Sequence, residues 1–208
     1  MVRKHGNFEI VQDRADVTRN DILEAALEVF AEKGYAGANT KNIAAAAGVA
    51  TGSVYRYFKN KKVIFIEVMN MLQGQMSYDI FAKARAMLQE GDSFRDAMRM
   101  LGAYSVESHR SNRMFFREVI ALEATDDEIA AIGRERDRRI RGHLLEFLES
   151  QRHHLKVDDL EAAAELVHLV VEEVSHQAVI FDSEVGEDRL VSQMVMMLEG
   201  YLLGPHSS

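Results

Sequence analysis

The sequence contains no cysteine and no tryptophan, and its single proline, Pro205, stands close to the C-terminal end. Without cysteine there are no disulfides, no thiolate metal sites and no cysteine nucleophile. Average usage would give about ten prolines in a chain of this length. Proline breaks helices, so its absence from the first 204 positions fits a chain that is almost entirely helix. No apolar run approaches the roughly 18 residues that a membrane span needs. The opening Met1-Val2-Arg3-Lys4 lacks the apolar core of a signal peptide, so a cytoplasmic address and no membrane partner are expected. Walker, dinucleotide-glycine and nucleophile-elbow motifs are also missing. Neither enzymatic activity, nor a cofactor, nor a metal site is therefore expected.

What is present is charge, unevenly placed. The 208 residues carry a net charge of −8, which at first argues against a nucleic-acid partner. Residues 1–62, however, hold ten Lys/Arg against seven Asp/Glu, and residues 63–208 hold fifteen against twenty-six. No acidic residue occurs between Glu32 and Glu67, a window that holds Lys33, Lys41, Arg56, Lys59, Lys61 and Lys62. A stretch free of carboxylates suits a polyanion; a solvated face is the competing use of the same charges.

The apolar periodicity is helical throughout. Residues 1–16 are polar and aperiodic and read as a flexible arm. Thr18 to Asp21 resembles a capping box, and Ile22, Leu23, Ala26, Leu27 and Phe30 follow at helical spacing up to Gly34. Thr40 is the expected cap of a second helix, Lys41 to Ala47. Gly48-Val49 forms a tight turn, and a third helix runs from Thr51 to Phe58. Asn60 caps a fourth helix carrying Val63, Ile64, Val68, Met71 and Leu72. Further helices are expected over 77–90, 93–109, 112–123, 126–150, 158–181 and 186–203, with Gly91-Asp92-Ser93, Thr125-Asp126-Asp127 and Val157-Asp158-Asp159 supplying breaks and N-cap chemistry.

Two short helices joined at Gly48 have the geometry that lays a second helix in a major groove. Residues 40–58 read Thr-Lys-Asn-Ile-Ala-Ala-Ala-Ala-Gly-Val-Ala-Thr-Gly-Ser-Val-Tyr-Arg-Tyr-Phe. Together with Lys61 and the upstream Phe30-Ala31-Glu32-Lys33-Gly34-Tyr35, they resemble the signature of the tetracycline-repressor (TetR) family over residues 18–65. Matching positions are Thr40, Ile43, Ala44, Ala47, Gly48, Val49, Gly52, Tyr55, Phe58 and Lys61. The resemblance implies an all-α homodimeric regulator acting on double-stranded operator DNA, most simply a ligand-responsive repressor. It places a helix-turn-helix DNA-binding domain at 17–62 and a helical effector-binding and dimerisation domain at 63–208. It also implies phosphate contacts from Thr40, Thr51, Tyr55, Tyr57 and Lys61, and close backbone approach at Gly52. Thr51, Ser53 and Arg56 are then the base-edge candidates. An arginine can bond guanine bidentately, worth about 1–3 kcal/mol of discrimination; a phosphate contact is the competing role for Arg56.

Three departures from the signature matter. Ala50 stands where a serine usually caps the recognition helix, a loss of about 1 kcal/mol. Tyr57 replaces a histidine. Lys62 replaces an acidic residue, so the fourth helix opens with Lys61 and Lys62. Cations at that end cost about 0.3–1 kcal/mol each, and a DNA phosphate docked there would offset the cost.

The remainder of the chain offers constellations rather than motifs. Tyr104, His109, Phe115, Phe116 and His143 are candidate contacts for a mainly apolar small-molecule effector, although such residues also serve as plain core. Leu160, Ala164, Val167, Val171, Val174 and Ala178 form one apolar stripe. Leu190, Met194, Met197, Leu198, Tyr201 and Leu202 form another. Two stripes per subunit would close a four-helix homodimer interface through Val167, Val171, Val174, Ala178, Met194, Met197, Leu198 and Tyr201; burial within one subunit is the competing use. Glu165-x-x-His168 and Glu173-x-x-His176 imitate di-iron carboxylate pairs, the basis of a rival reading as a metal-dependent oxidase. Both pairs fall on one helix, which cannot assemble such a site alone, so His168, Glu172 and His176 read instead as a polar stripe. The arginines from Arg134 to Arg141 circle their helix and read as solvated. A second rival is a ligand-binding protein without DNA binding.

Overall fold

A computed structural model describes residues 6–204 of the chain, with side chains at 18–72 and 80–204. Among these residues there is no strand. Nine α-helices follow one another: α1 (Gly6–Gly37), α2 (Thr40–Ala46), α3 (Thr51–Tyr57), α4 (Lys61–Glu90), α5 (Phe94–Ser111), α6 (Arg113–Glu123), α7 (Asp127–Ser150), α8 (Leu160–Ser175) and α9 (Glu187–Leu203). A 3₁₀ turn, Arg152–His154, precedes α8, and a π-helical turn, His176–Ile180, follows it directly. Packing divides the chain into two units, Met1–Leu72 and Gln73–Ser208.

In the first unit, Ile22, Leu23, Ala26 and Phe30 of α1 bury against Ile43 and Ala44 of α2, Val54 of α3, and Ile64, Phe65 and Val68 of α4. Phe30 meets Phe65 edge-on at 5.1 Å, and Tyr35 meets Phe65 at 5.2 Å. Each such phenylalanine contributes about 1.5–3 kcal/mol by burial. Gly34, at φ 68°, breaks α1, a backbone angle that a side chain would disfavour. Gly48, at φ 65°, makes the turn between α2 and α3. Because α4 supplies so much of this core, the packing division falls after Leu72.

The second unit gathers Phe81, Ala84, Phe94, Ala97, Phe147, Leu148, Ala163, Ala164, Val167, Met194, Leu198 and Leu202 around one core. Ser93, Asp126 and Asp159 cap α5, α7 and α8 through side-chain oxygens that accept backbone N–H bonds. These satisfy donors a helix start leaves open.

Four local expectations change. The arm expected over 1–16 is helical from Gly6 onward, with Thr18 inside α1; residues 1–5 lie outside the described residues. No glycine or proline interrupts 7–33, and an established helix propagates at little cost. The helices expected before residue 75 and over 77–90 are one helix of 30 residues. Gly74, the sole breaker between them, costs only about 1 kcal/mol. Asn39, not Thr40, caps α2, accepting from the N–H groups of Lys41 and Asn42 at 3.0 Å each. The helix expected over 158–181 widens at His176 into the π turn.

Candidate nucleic-acid interface and cavity

The α2–turn–α3 hairpin presents its expected residues on an open surface. Tyr55 is 55% exposed, Gly52 and Arg56 are exposed, and Thr40, Thr51, Ser53 and Tyr57 are half-buried. Thr40 and Tyr55 share a hydroxyl–hydroxyl hydrogen bond of 2.9 Å that ties the two helices at their outer edge. The Arg56 guanidinium lies 5.8 Å from the Tyr57 ring centre, which holds it beside α3. A Cβ on Gly52 would meet no atom within 4 Å. Nothing inside the protein therefore requires glycine there, although it weakens a helix by about 1 kcal/mol. Ala50 gives α3 no side-chain cap, as its residue type dictates.

Lys61, the expected phosphate contact, is engaged within the protein. Its ammonium donates to the carbonyls of Tyr35 and Ala38, the latter at 3.0 Å, and sits 4.3 Å from the Tyr35 ring centre. Burial holds its pKa below the usual lysine value. The lysine thus satisfies carbonyls left open where α1 breaks, a role cations favour at helix C-termini. Asn60 caps α4 through Val63 N–H at 3.0 Å, and Lys62 is half-buried beside it. Arg19 pairs with Glu67 at 2.6 Å, a second tie between α1 and α4.

The second unit contains a cavity of about 120 Å³. Ile80, Phe81, Met98, Leu101, Ile140, Val171, Met194 and Leu198 give it apolar walls, with Arg99, His168, Glu172 and Glu199 among its few polar ones. Glu199 is 6% exposed and is held by Arg95 and by Arg99, the latter at 2.7 Å. Of the five expected effector contacts, Tyr104 lines this cavity and His109, Phe115, Phe116 and His143 do not. Phe115 is closed core at 1% exposure. The cavity is bounded by α4, α5, α7, α8 and α9, because the amphipathic faces of those helices converge there while α6 packs beside them.

The expected dimer stripe also turns inward. Val167, Ala178, Met194 and Leu198 are buried in the subunit's own core, and Val171 and Val174 pack against it. The opposite faces of α8 and α9 are apolar too: Leu166, Leu169, Met196, Met197 and Tyr201 are 48%, 52%, 61%, 53% and 38% exposed. Met197 and Tyr201 alone among the expected interface residues lie on this outer face.

A polar cluster sits within the second unit. His109 is 2% exposed; its Nδ1 lies 2.8 Å from the Ser105 carbonyl, and its ring stacks on Phe116 at 4.6 Å. The same Glu172 oxygen lies 3.6 Å from His109 Nε2 and 3.7 Å from His176 Nε2. Burial works to raise the Glu172 pKa, but His109, Arg136 and His168 hold it at about 2. Burial works to lower His109, and Glu172 with the Ser105 carbonyl raises it. His176 is lowered by burial. Arg136, expected to be solvated, has only 14% of its side chain exposed and bonds Asp137 at 2.9 Å. Glu123 rests over Gly133, where any Cβ would collide with its carboxylate. Sequence spacing could not join His109 to Glu172, since they come from separate helices.

Comparison with known proteins agrees with this architecture. The profile "Bacterial regulatory proteins, tetR family" matches residues 22–68, and "Tetracyclin repressor-like, C-terminal domain" matches residues 93–202. The chain is 46% identical over 69 residues to the fatty acid metabolism regulator protein of Bacillus subtilis, covering 31% of this chain and 36% of that one. It is 31% identical over 112 residues to the HTH-type transcriptional repressor KstR2 of Rhodococcus jostii, covering 52% of this chain and 53% of the relative. The matches thus span between a third and about half of these curated relatives. Among solved structures, a Mesorhizobium loti chain described as a TetR-family transcriptional regulator superposes with TM-score 0.75 at 20% identity, covering 90% of this chain and 96% of that one. The fatty acid degradation regulator FadR of Bacillus halodurans superposes at 0.67 with 24% identity, covering 94% and 96%. No helix among the described residues is long and apolar enough to cross a membrane. With both profiles accounting for most of its length, the chain belongs to the TetR family of bacterial regulatory proteins.

Proposed function

We propose that the chain is a cytoplasmic, non-enzymatic repressor that binds a palindromic operator as a homodimer and releases it when a mainly apolar small molecule enters the cavity. The carrying observation is α3, which presents Gly52, Tyr55 and Arg56 exposed and Thr51 and Ser53 half-buried, within a stretch between Glu32 and Glu67 that contains no carboxylate. Residues 17–62 read the DNA in this scheme, and residues 63–208 sense and dimerise through the outer faces of α8 and α9. The relatives described as regulators and repressors support the same reading. The di-iron alternative loses its pairs: Glu165 bonds Arg141 at 2.7 Å and Glu173 accepts from Gln177 at 2.9 Å.

Footprinting on DNA upstream of the protein's own gene tests the proposal. Two protected half-sites should lie about 10 base pairs apart or a small multiple of that, and affinity should fall steeply with salt. Salt-insensitive binding, or a footprint without two-fold pattern, overturns it. Within that operator, Arg56→Ala should cost about 1–3 kcal/mol at one base pair of each half-site and relax preference there. A uniform loss across all sequences would assign Arg56 to phosphate instead. Tyr55→Phe should weaken all sequences alike.

The cavity reading has its own test. Gly102 lines the cavity, and a Cβ there would lie 3.9 Å from Met194. Gly102→Leu should occupy the space, abolish the melting-temperature rise that an effector gives the parent by mass action, and leave operator binding intact. Fatty acids are the first compounds to screen. A variant that still responds to the effector places the effector elsewhere.

A further inference from the structure

We propose that His109, Glu172 and His176 form a binding site for one late first-row divalent metal ion, with zinc as the expected occupant. This goes beyond operator binding and apolar sensing, and it departs from the expectation of no metal site. Their candidate ligand atoms lie within 4.8 Å of one another. The Glu172 oxygen stands 3.6 and 3.7 Å from the two imidazole nitrogens. Those separations exceed a hydrogen bond but approach the ~3.4 Å between ligand atoms of a tetrahedral ion with bonds of about 2.1 Å.

The surroundings carry a second, independent mark. With its Nδ1–H donated to the Ser105 carbonyl at 2.8 Å, His109 presents Nε2 to the Glu172 carboxylate, where a proton or a metal ion can stand between the two, so that metal binding there displaces a proton. A ligating histidine held through its other nitrogen by a backbone carbonyl is the usual arrangement in metal sites, and the Phe116 ring fixes the imidazole plane. His176 opens the π turn, a distortion that recurs at functional positions. The closest charged partners of Glu172 among the described residues are the two imidazoles, while the Arg136 guanidinium, paired with Asp137 and Glu123, acts on the cluster from farther off. Two nitrogens and one carboxylate oxygen suit zinc, cobalt or nickel better than magnesium or calcium, and a three-ligand set leaves one position open.

The test uses tag-free, full-length protein freed of metal by chelator. Titration calorimetry with Zn²⁺ should show one ion per chain, and Co²⁺ should give the visible bands of a four- or five-coordinate ion. His109→Ala, His176→Ala and Glu172→Gln should each weaken binding by about 100-fold or more, since even outer partners of such sites are worth about 10–100-fold. A His153→Ala, His154→Ala double variant should bind as the parent does. X-ray absorption of the zinc-loaded parent, which needs no variant, should count two imidazoles. No binding, binding indifferent to His109 and His176, or a zinc shell without imidazole would overturn the proposal.

Discussion

Lys61→Ala should destabilise the protein by about 2 kcal/mol, the scale of losing charge-assisted hydrogen bonds, typically about 1.5–3 kcal/mol. The parent ammonium joins the Tyr35 and Ala38 carbonyls and lies over the Tyr35 ring. Removal leaves part-buried carbonyls at the α1 break without their donor. It also removes the residue that links this break to the start of α4. Sequence logic pointed the other way: a lysine at a helix start costs stability, so its loss should have been neutral or beneficial. The structure reverses the sign because the side chain reaches back to the negative end of another helix. Thermal melts of the DNA-free protein check it, with Lys62→Ala as a comparison expected to lose less than half as much. An unchanged melt combined with weakened operator binding would restore Lys61 to a pure phosphate role.

Leu169→Glu should split the dimer. The side chain is 52% exposed in the subunit, and Leu166 on the same helix and Met196 and Met197 on α9 are exposed apolar residues too. In a two-fold assembly the substitution enters twice, so each dimer acquires two carboxylates without partners. Uncompensated buried charges cost about 3–5 kcal/mol each, which weakens dimerisation by at least about a hundredfold. Operator affinity should collapse with it, because each monomer then reads one half-site alone. Val171→Glu, the obvious choice from periodicity, instead strikes a cavity wall and tests folding, not assembly. Sedimentation of Leu169→Glu decides: a stable dimer would mean that another surface joins the subunits.

The contrast between these positions shows what was legible in the sequence. The helix-turn-helix was readable because its determinants are local. Gly48 must take a positive φ, Asn60 must cap, and Val54 must face inward whatever the rest of the chain does. The segments that cap α5, α7 and α8 were readable for the same reason. The faces of α8 were not. Val167 and Val171 make one apolar row and Leu166 and Leu169 another, and a 3.6-residue period supports either as the inward side. Only the packing of α7 and α9 decides. The cavity was half-legible: Tyr104 lines it, but Phe115 is closed core and Phe116 stacks on His109. His109, Arg136 and Glu172 were each seen singly and assigned to unrelated roles. Their assembly depends on three helices meeting, and no spacing along one chain segment encodes that.

The Thr40–Tyr55 bond carries a consequence for how tightly a DNA backbone must be matched. Two hydroxyls 2.9 Å apart hold two protons between them; one closes the bond and the other points away. Either oxygen can be the one that keeps the outward proton, and exchanging them needs only rotation about two C–O bonds. Heavy atoms stay where they are, and hydroxyl rotors reorient freely to suit their partners. The surface therefore offers a single donor that can be delivered from either of two points. A phosphate oxygen, which can only accept, selects the point it meets. In the DNA-bound state proposed above, small changes in groove width from one operator to another would then be absorbed by proton order and not by side-chain strain.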